Sequence, residues 1–72
     1  MANSLAHDIE HRAQAALERS PIHALRSLRV EQKGDRLVIS GRLGTFYYKQ
    51  LAQELIREVA EDLQVVNTID VD

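Results

Sequence analysis

The chain has no cysteine and no tryptophan, and its 72 residues include one proline, three glycines and three aromatic residues. Without cysteine, disulfide bonds and thiolate metal ligands are excluded, so the fold must be stabilised by packing or by self-association. A chain of this length supports a single hydrophobic core. We therefore expect one small domain over residues 1–72.

No apolar run approaches the roughly 18 residues of a membrane-spanning helix, and the first ten residues lack the basic start and apolar run of a secretory signal. These absences predict a cytoplasmic protein as the sequence stands, or a periplasmic or envelope one if it was cut from a longer precursor. The formal net charge of −2 argues against binding dominated by nucleic acid, although it leaves room for a local basic face.

Apolar spacing divides the chain into five elements. Helical spacing predicts two helices and period-two alternation predicts three strands. In chain order their approximate ranges are 4–19 (helix), 26–33 (strand), 36–43 (strand), 45–61 (helix) and 65–71 (strand). The order α-β-β-α-β predicts an α+β fold, with a three-stranded mixed sheet and both helices packed on one face. The second helix is expected to bury a stripe formed by Tyr48, Leu51, Ala52, Leu55, Val59 and Leu63.

The first two strands are expected to form a hairpin around the two-residue loop Gly34-Asp35, where Gly34 readily supplies a positive φ. In that register Val30 pairs with Ile39, and the apolar residues fall on one face. A solvated sheet face is the usual explanation for charges on the opposite side, and an anionic partner is the functional alternative. The basic residues expected there are Arg29, Lys33, Arg36 and Arg42.

An alternating hairpin, a strand-end glycine, a helix alanine and a final V-x-N-x-I-x-V strand follow one another along the chain. The residues concerned are Leu28, Val30, Leu37, Ile39, Gly41, Leu43, Ala52, Val65, Asn67, Ile69 and Val71. This succession resembles a BON domain, the small module of bacterial envelope and osmotic-stress proteins. The resemblance implies a non-catalytic binding module that contacts phospholipid surfaces or other envelope components. It implies no catalytic residues and no cofactor.

Two positions depart from the BON pattern. The family's hairpin turn usually reads Asn-Gly, where this chain has Gly34-Asp35. The glycine-hydrophobic pair that usually precedes the last strand is replaced by Glu61-Asp62. We therefore expect the exit from the second helix to be built differently.

Catalytic and metal-binding patterns find little support. His7 and His11 are i,i+4 neighbours on the first helix, but no third ligand accompanies them, so two solvated histidines are the simpler interpretation. His23 has no recognisable acid or nucleophile partner. The sequence therefore predicts neither an enzyme nor a metal site.

The segment Gly41-Arg42-Leu43-Gly44 matches the G-x-x-G pattern of KH domains, but here it joins a strand to a helix rather than two helices. We interpret Gly41 as a position that permits close packing where a helix crosses the strand and Gly44 as a turn opener, and Gly34 completes the set of structural glycines. Anion binding by the first amides of the second helix, beside Arg42, is the alternative.

Phe46 and Tyr47 are the most informative residues for function, because the apolar stripe uses Tyr48 and leaves Phe46 on the opposite side of the helix and Tyr47 at the edge of the stripe. With Arg42 and Lys49 they form a candidate tip that enters a lipid headgroup layer or stacks on a ligand. The simpler alternative is that the rings fold back over the hairpin end or cover the first helix.

The sequence thus predicts a non-catalytic module that contacts anionic phospholipid or cell-envelope components. A nucleic-acid-binding module that uses Arg29 and Arg36 on the sheet face is a second hypothesis. A structural homo-oligomer is a third, because Val38 and Val66 on that face permit sheet-to-sheet dimerisation.

Overall fold

The computed structural model describes residues 4–72, with side chains from residue 8 onward. In chain order the described residues form a helix, a β-hairpin, a second helix and a C-terminal β segment, which is the predicted α-β-β-α-β order, so the α+β class is confirmed. The second hairpin strand and the C-terminal segment are each divided into two strands. The elements are α1 (Ser4–Glu18), a 3-10 helix (His23–Ser27), β1 (Arg29–Lys33), β2 (Arg36–Ser40), β3 (Arg42–Leu43), α2 (Phe46–Ala60), β4 (Gln64–Asn67) and β5 (Asp70–Val71). No helix in these residues is long and apolar enough to cross a bilayer.

The main sheet has three strands in the order β1-β2-β4. The central strand β2 is antiparallel to β1 and parallel to β4, so the sheet is mixed as expected. Beyond Ser40 the chain kinks and β3 pairs in parallel with β5, which extends the β2–β4 pair in the same direction. The helices pack against this sheet, and the chain crosses from β2 to β4 through α2.

The predicted hairpin register is confirmed. Val30 pairs with Ile39 and Gln32 with Leu37. Gly34 has a φ of 62°, which L-residues rarely adopt, whereas Asp35 does not have a positive φ. A glycine in this conformation at the first loop position is typical of a type II′ turn. The Gly-Asp order therefore preserves the hairpin.

The predicted strand bounds need correction at three places. Residues 23–27 form a 3-10 helix, closed by hydrogen bonds from Leu25 N to Ile22 O and from Leu28 N to Leu25 O, so β1 begins at Arg29 rather than at residue 26. The predicted strands 36–43 and 65–71 are each interrupted. Gly41, with a φ of 139°, separates β2 from β3, and two residues separate β4 from β5.

The core lies between the helices and one face of the sheet. Helix α2 contributes Ala52, Ile56 and Ala60 as its buried residues, so the centre of its apolar face is displaced from the predicted stripe, whose larger side chains are only half-buried. Ile56 was absent from that prediction. The other buried apolar residues are Ile9, Ala13, Leu17, Leu25, Leu28, Val30, Leu37, Ile39, Leu43 and Ile69.

Helix α2 begins and ends with different local chemistry. Thr45 caps its N-terminus, because its Oγ1 accepts a hydrogen bond from Tyr48 N at 3.0 Å. At the other end Glu61 has a φ of 56° and a ψ of −118°, a conformation that favours glycine. The unusual exit expected at Glu61-Asp62 is therefore a strained residue in a glycine conformation.

Candidate functional site

Two adjacent aromatic rings project from the start of α2. Phe46 is 74% exposed and Tyr47 is 68% exposed, and these are the exposed large hydrophobic residues of the described chain. We define the aromatic tip as Arg42, Phe46, Tyr47 and Lys49. Large rings usually account for much of the buried area of a small protein, so their exposure here requires an explanation. The alternative that both rings fold back over the hairpin end or cover the first helix is wrong.

The local structure accounts for this exposure. Thr45 fixes the first turn of α2, and Tyr48 then packs against the core as a half-buried residue. Successive residues of a helix point in directions about 100° apart, so Phe46 and Tyr47 point away from the surface that Tyr48 contacts. The rings of Tyr47 and Tyr48 are 5.9 Å apart between centroids and tilted by 40°. Tyr48 thus links the exposed rings to the core.

The charges near the tip are mostly free to act on a ligand. Arg42 Nε lies 3.4 Å from Asp72 Oδ1, and both side chains are about two-thirds exposed or more (70% and 66%). Such exposed pairs contribute little energy and exchange readily with solvent. Lys49 has no carboxylate within salt-bridge distance among the described residues. The first amides of α2 add the positive end of the helix dipole.

The structure does not bring the predicted sheet-face arginines to the tip as one patch. Arg29 pairs with Ser40, at the end of β2 nearest the tip, whereas Arg36 pairs with Lys33 at the hairpin end. Four residue steps along a strand separate these ends by about 13 Å. Lys33 Nζ in turn lies 3.9 Å from Glu31 Oε1. Positive charge on this face is therefore divided and partly neutralised.

The glycines of the G-x-x-G segment differ in their structural requirements. A Cβ added at Gly41 would lie 2.6 Å from Leu28 Cδ2, so glycine allows the Leu28 side chain to pack over the strand. The close contact comes from Leu28, not from a crossing helix. At Gly44 an added Cβ would meet no atom within 4 Å, and the backbone there has no positive φ. The conformation of Gly44 does not require glycine.

The histidines give no metal centre in the described part of the chain. His11 and His23 are exposed, and the side chain of His7 lies outside the described residues. Among the residues that are described, no group of three potential ligands comes together.

A shallow groove between α2 and the segment that enters β4 was not predicted from the sequence. Gln53, Arg57 and Ala60 line it from the helix, and Leu63, Gln64 and Val65 line it from the segment that enters β4. Residues 53, 57 and 60 have the spacing of one helix face, which could have indicated a shared surface. They form no apolar stripe, however, so no groove was predicted there. Asn67 of β4 satisfies backbone groups: its Nδ2 donates to Lys49 O at 3.0 Å and its Oδ1 accepts from Ile69 N.

No protein-family model matches the chain, and no curated protein matches it significantly. The resemblance to BON domains therefore depends on the residues quoted above.

Proposed function

We propose that this chain is a non-catalytic interaction module of the BON type, and that its aromatic tip contacts anionic phospholipid surfaces. The observation that supports the proposal is the exposure of Phe46 and Tyr47 side by side, with Arg42 and Lys49 next to them. Aromatic rings flanked by cations suit the headgroup region, where rings meet the acyl boundary and cations meet phosphate.

The expected affinity is modest. Full burial of a phenylalanine side chain contributes about 1.5–3 kcal/mol, and each basic residue near an anionic surface contributes about 1 kcal/mol. Because the two rings of the tip remain attached to a helix and enter only the headgroup layer, they gain only part of the free energy of full burial. The tip therefore gives weak, reversible contact rather than stable anchoring.

Cosedimentation with vesicles tests this proposal. We expect the protein to pellet with phosphatidylcholine vesicles that contain phosphatidylglycerol, and far less with pure phosphatidylcholine. The double variant Phe46→Ala/Tyr47→Ala should reduce the bound fraction at least several-fold. Equal pelleting of this variant, or equal pelleting with neutral vesicles, would contradict the proposal.

A pair of arginine variants separates the tip from general positive charge. Arg42→Gln removes a cation of the tip, on β3, whereas Arg36→Gln removes one at the hairpin end of the main sheet. Both change the net charge by the same amount. We expect Arg42→Gln to weaken vesicle binding and Arg36→Gln to leave it nearly unchanged. Equal losses would indicate attraction that does not involve the tip.

A further inference from the structure

Strand β4 is the terminal strand of the main sheet, and among the strands of residues 4–72 it pairs only with β2. Gln64 N donates to Asp35 O, and Thr68 N donates to Ile39 O, each at 2.9 Å. Backbone groups alternate in direction along a parallel ladder, so the groups of residues between these two must alternate as well. The N–H and C=O groups of Val65 and Asn67 therefore point away from the sheet, toward its open edge.

The edge formed by β1 has been closed in a way that the β4 edge has not. Gln14 of α1 accepts a hydrogen bond from Val30 N at 2.8 Å and donates to Leu28 O at 3.0 Å. Along β4, no side chain of the described residues bonds the backbone N–H or C=O of Val65 or Asn67. An edge with unpaired backbone groups is a template for another strand.

The groove described above runs along this open edge. Arg57 and Ala60 of α2 form one wall, and Val65 of β4 forms part of the other. An added strand would therefore lie beside β4, with the side chains of its covered face next to α2. This is the geometry of strand addition to an exposed sheet edge.

We propose that the β4 edge pairs with the β4 edge of a second copy of this chain. The strands run antiparallel about a two-fold axis that passes by Val66, so that Val65 of each copy faces Asn67 of the other. This register uses both outward-pointing residues of each strand and forms four backbone N–H···O bonds. It joins the two main sheets into one continuous sheet.

The open face of the sheet favours a second copy as the partner. Val38 and Val66 are direct neighbours across β2 and β4, and both are half-buried. The two-fold axis places the two Val66 side chains side by side, so four valines form one apolar row across the dimer. An unrelated strand would not continue this row.

The charges of α2 favour the same arrangement. A two-fold axis perpendicular to the sheet makes the two copies of α2 antiparallel. Lys49 lies in the first turn and Glu61 follows the last, about 18 Å apart along the axis. The lysine end of one helix therefore lies along the acidic end of the other. Glu61 also bonds Arg12 Nη2 at 2.8 Å, and its exposed carboxylate can accept from both cations. Such self-complementarity is what an isologous interface requires.

Single cysteines test the register, since the natural chain contains none. In the proposed dimer the residues at position 66 form a non-hydrogen-bonded pair with a Cα separation of about 4.5 Å, within the range of a disulfide. Position 38 lies one strand further in, so its two copies are about 14 Å apart. We expect Val66→Cys to form a disulfide-linked dimer on mild oxidation, and Val38→Cys to remain monomeric on a denaturing gel.

Other results would overturn the proposal. Efficient cross-linking through position 38 would indicate sheets stacked face to face, and absence of cross-linking at both positions would indicate that the β4 edges do not meet.

Lysine variants at the same two positions test association without cross-linking. Sedimentation velocity of the natural chain should show a dimer at high micromolar concentration. Val66→Lys places two like charges at the two-fold axis and should shift the protein to monomer, whereas Val38→Lys should retain most of the dimer. Circular dichroism verifies that both variants fold. A natural chain that sediments as a monomer would contradict the inference, as would equal dissociation by the two lysines. Lys49 is the one tip residue placed near this contact, and positions 38 and 66 lie outside the tip, so the cross-linking and sedimentation results are read separately from vesicle binding.

Discussion

Polar side chains link each edge of the main sheet to a neighbouring helix, but they belong to the helix at the β1 edge and to the strand at the β4 edge. At the β1 edge, side chains of α1 bond the backbone of the strand. Gln14 accepts from Val30 N and donates to Leu28 O, and Glu10 Oε1 accepts from Gln32 N at 3.0 Å. At the β4 edge, the strand's own Asn67 reaches up to α2 and bonds Lys49 O. The first arrangement closes an edge, and the second holds a helix while leaving the edge open.

This difference shows how a small domain controls its association. Strand edges are commonly protected by charges, prolines or bulges. Here a helix supplies amide and carboxylate groups that replace the missing strand at one edge only. Of the two edges of the main sheet, the β4 edge alone then lacks such side-chain hydrogen bonds in the described residues. One open edge suits a two-fold dimer rather than an open-ended fibre.

The largest effect is expected where the closed edge is opened. Gln14→Ala removes both the acceptor for Val30 N and the donor to Leu28 O in a partly buried position. Because two backbone groups lose their partners, the free energy of unfolding should fall by about 2 kcal/mol. Urea unfolding followed by circular dichroism measures this change.

Gln50→Ala is the matched control. It is the same substitution in the other helix, at an exposed residue with only a 3.3 Å bond to Glu54. Its effect should stay within about 0.5 kcal/mol. If the two glutamine variants were equally stable, water would be satisfying the β1 edge, and the contrast between the edges would disappear.

A smaller effect is expected at the open edge. Asn67→Ala breaks the bonds to Lys49 O and Gln53 Oε1 and leaves Ile69 N without its acceptor. We expect a loss of about 1–2 kcal/mol in the free energy of unfolding, because α2 also contacts the sheet through apolar packing. Gln64→Ala, at an exposed neighbour on the same strand, should be nearly neutral. A loss at position 64 equal to that at position 67 would mean that strand propensity, not the hydrogen bonds of Asn67, determines both results.

The sequence predicted the parts of the fold that depend on apolar periodicity. The hairpin register follows from the alternation around Val30 and Ile39, and α2 follows from its apolar face. The 3-10 helix at residues 23–27 could not be predicted in this way, because Leu25 and Leu28 are three residues apart and fit several local structures. Polar edge contacts were missed for a similar reason: Glu10 and Gln14 have the spacing of a solvated helix face, and only the position of β1 gives them partners.

The candidate site was predictable in part. Phe46 and Tyr47 were identified because Tyr48 has the helical spacing of the core and its neighbours do not, and their exposure agrees with that reasoning. The sheet-face arginines were grouped by strand parity alone. Parity places Arg29 and Arg36 on one face but gives no distance along the strand, so it could not show that they lie at opposite ends.

The smallest expected effect is a gain in stability at the corner that leads into the open edge. Glu61 has a φ of 56° and a ψ of −118°, and such a conformation costs a non-glycine residue about 1–3 kcal/mol. Glu61→Gly removes that strain. It also removes the ion pair with Arg12, whose side chains are 50% and 59% exposed and which contributes about 0–1 kcal/mol. The net change should raise the free energy of unfolding by about 1 kcal/mol.

Glu58→Gly makes the same substitution three residues earlier, within α2, and provides the matched control. There glycine replaces an exposed residue in a regular helix, so it should lower the free energy of unfolding by about 0.5–1 kcal/mol. Opposite signs at positions 58 and 61 would establish that backbone conformation controls the corner. Two losses of similar size would mean that the ion pair of Glu61 with Arg12 stabilises the protein by more than the strained backbone of Glu61 destabilises it. In that case the ion pair between α1 and the residue after α2 would make a substantial contribution to the stability of the fold.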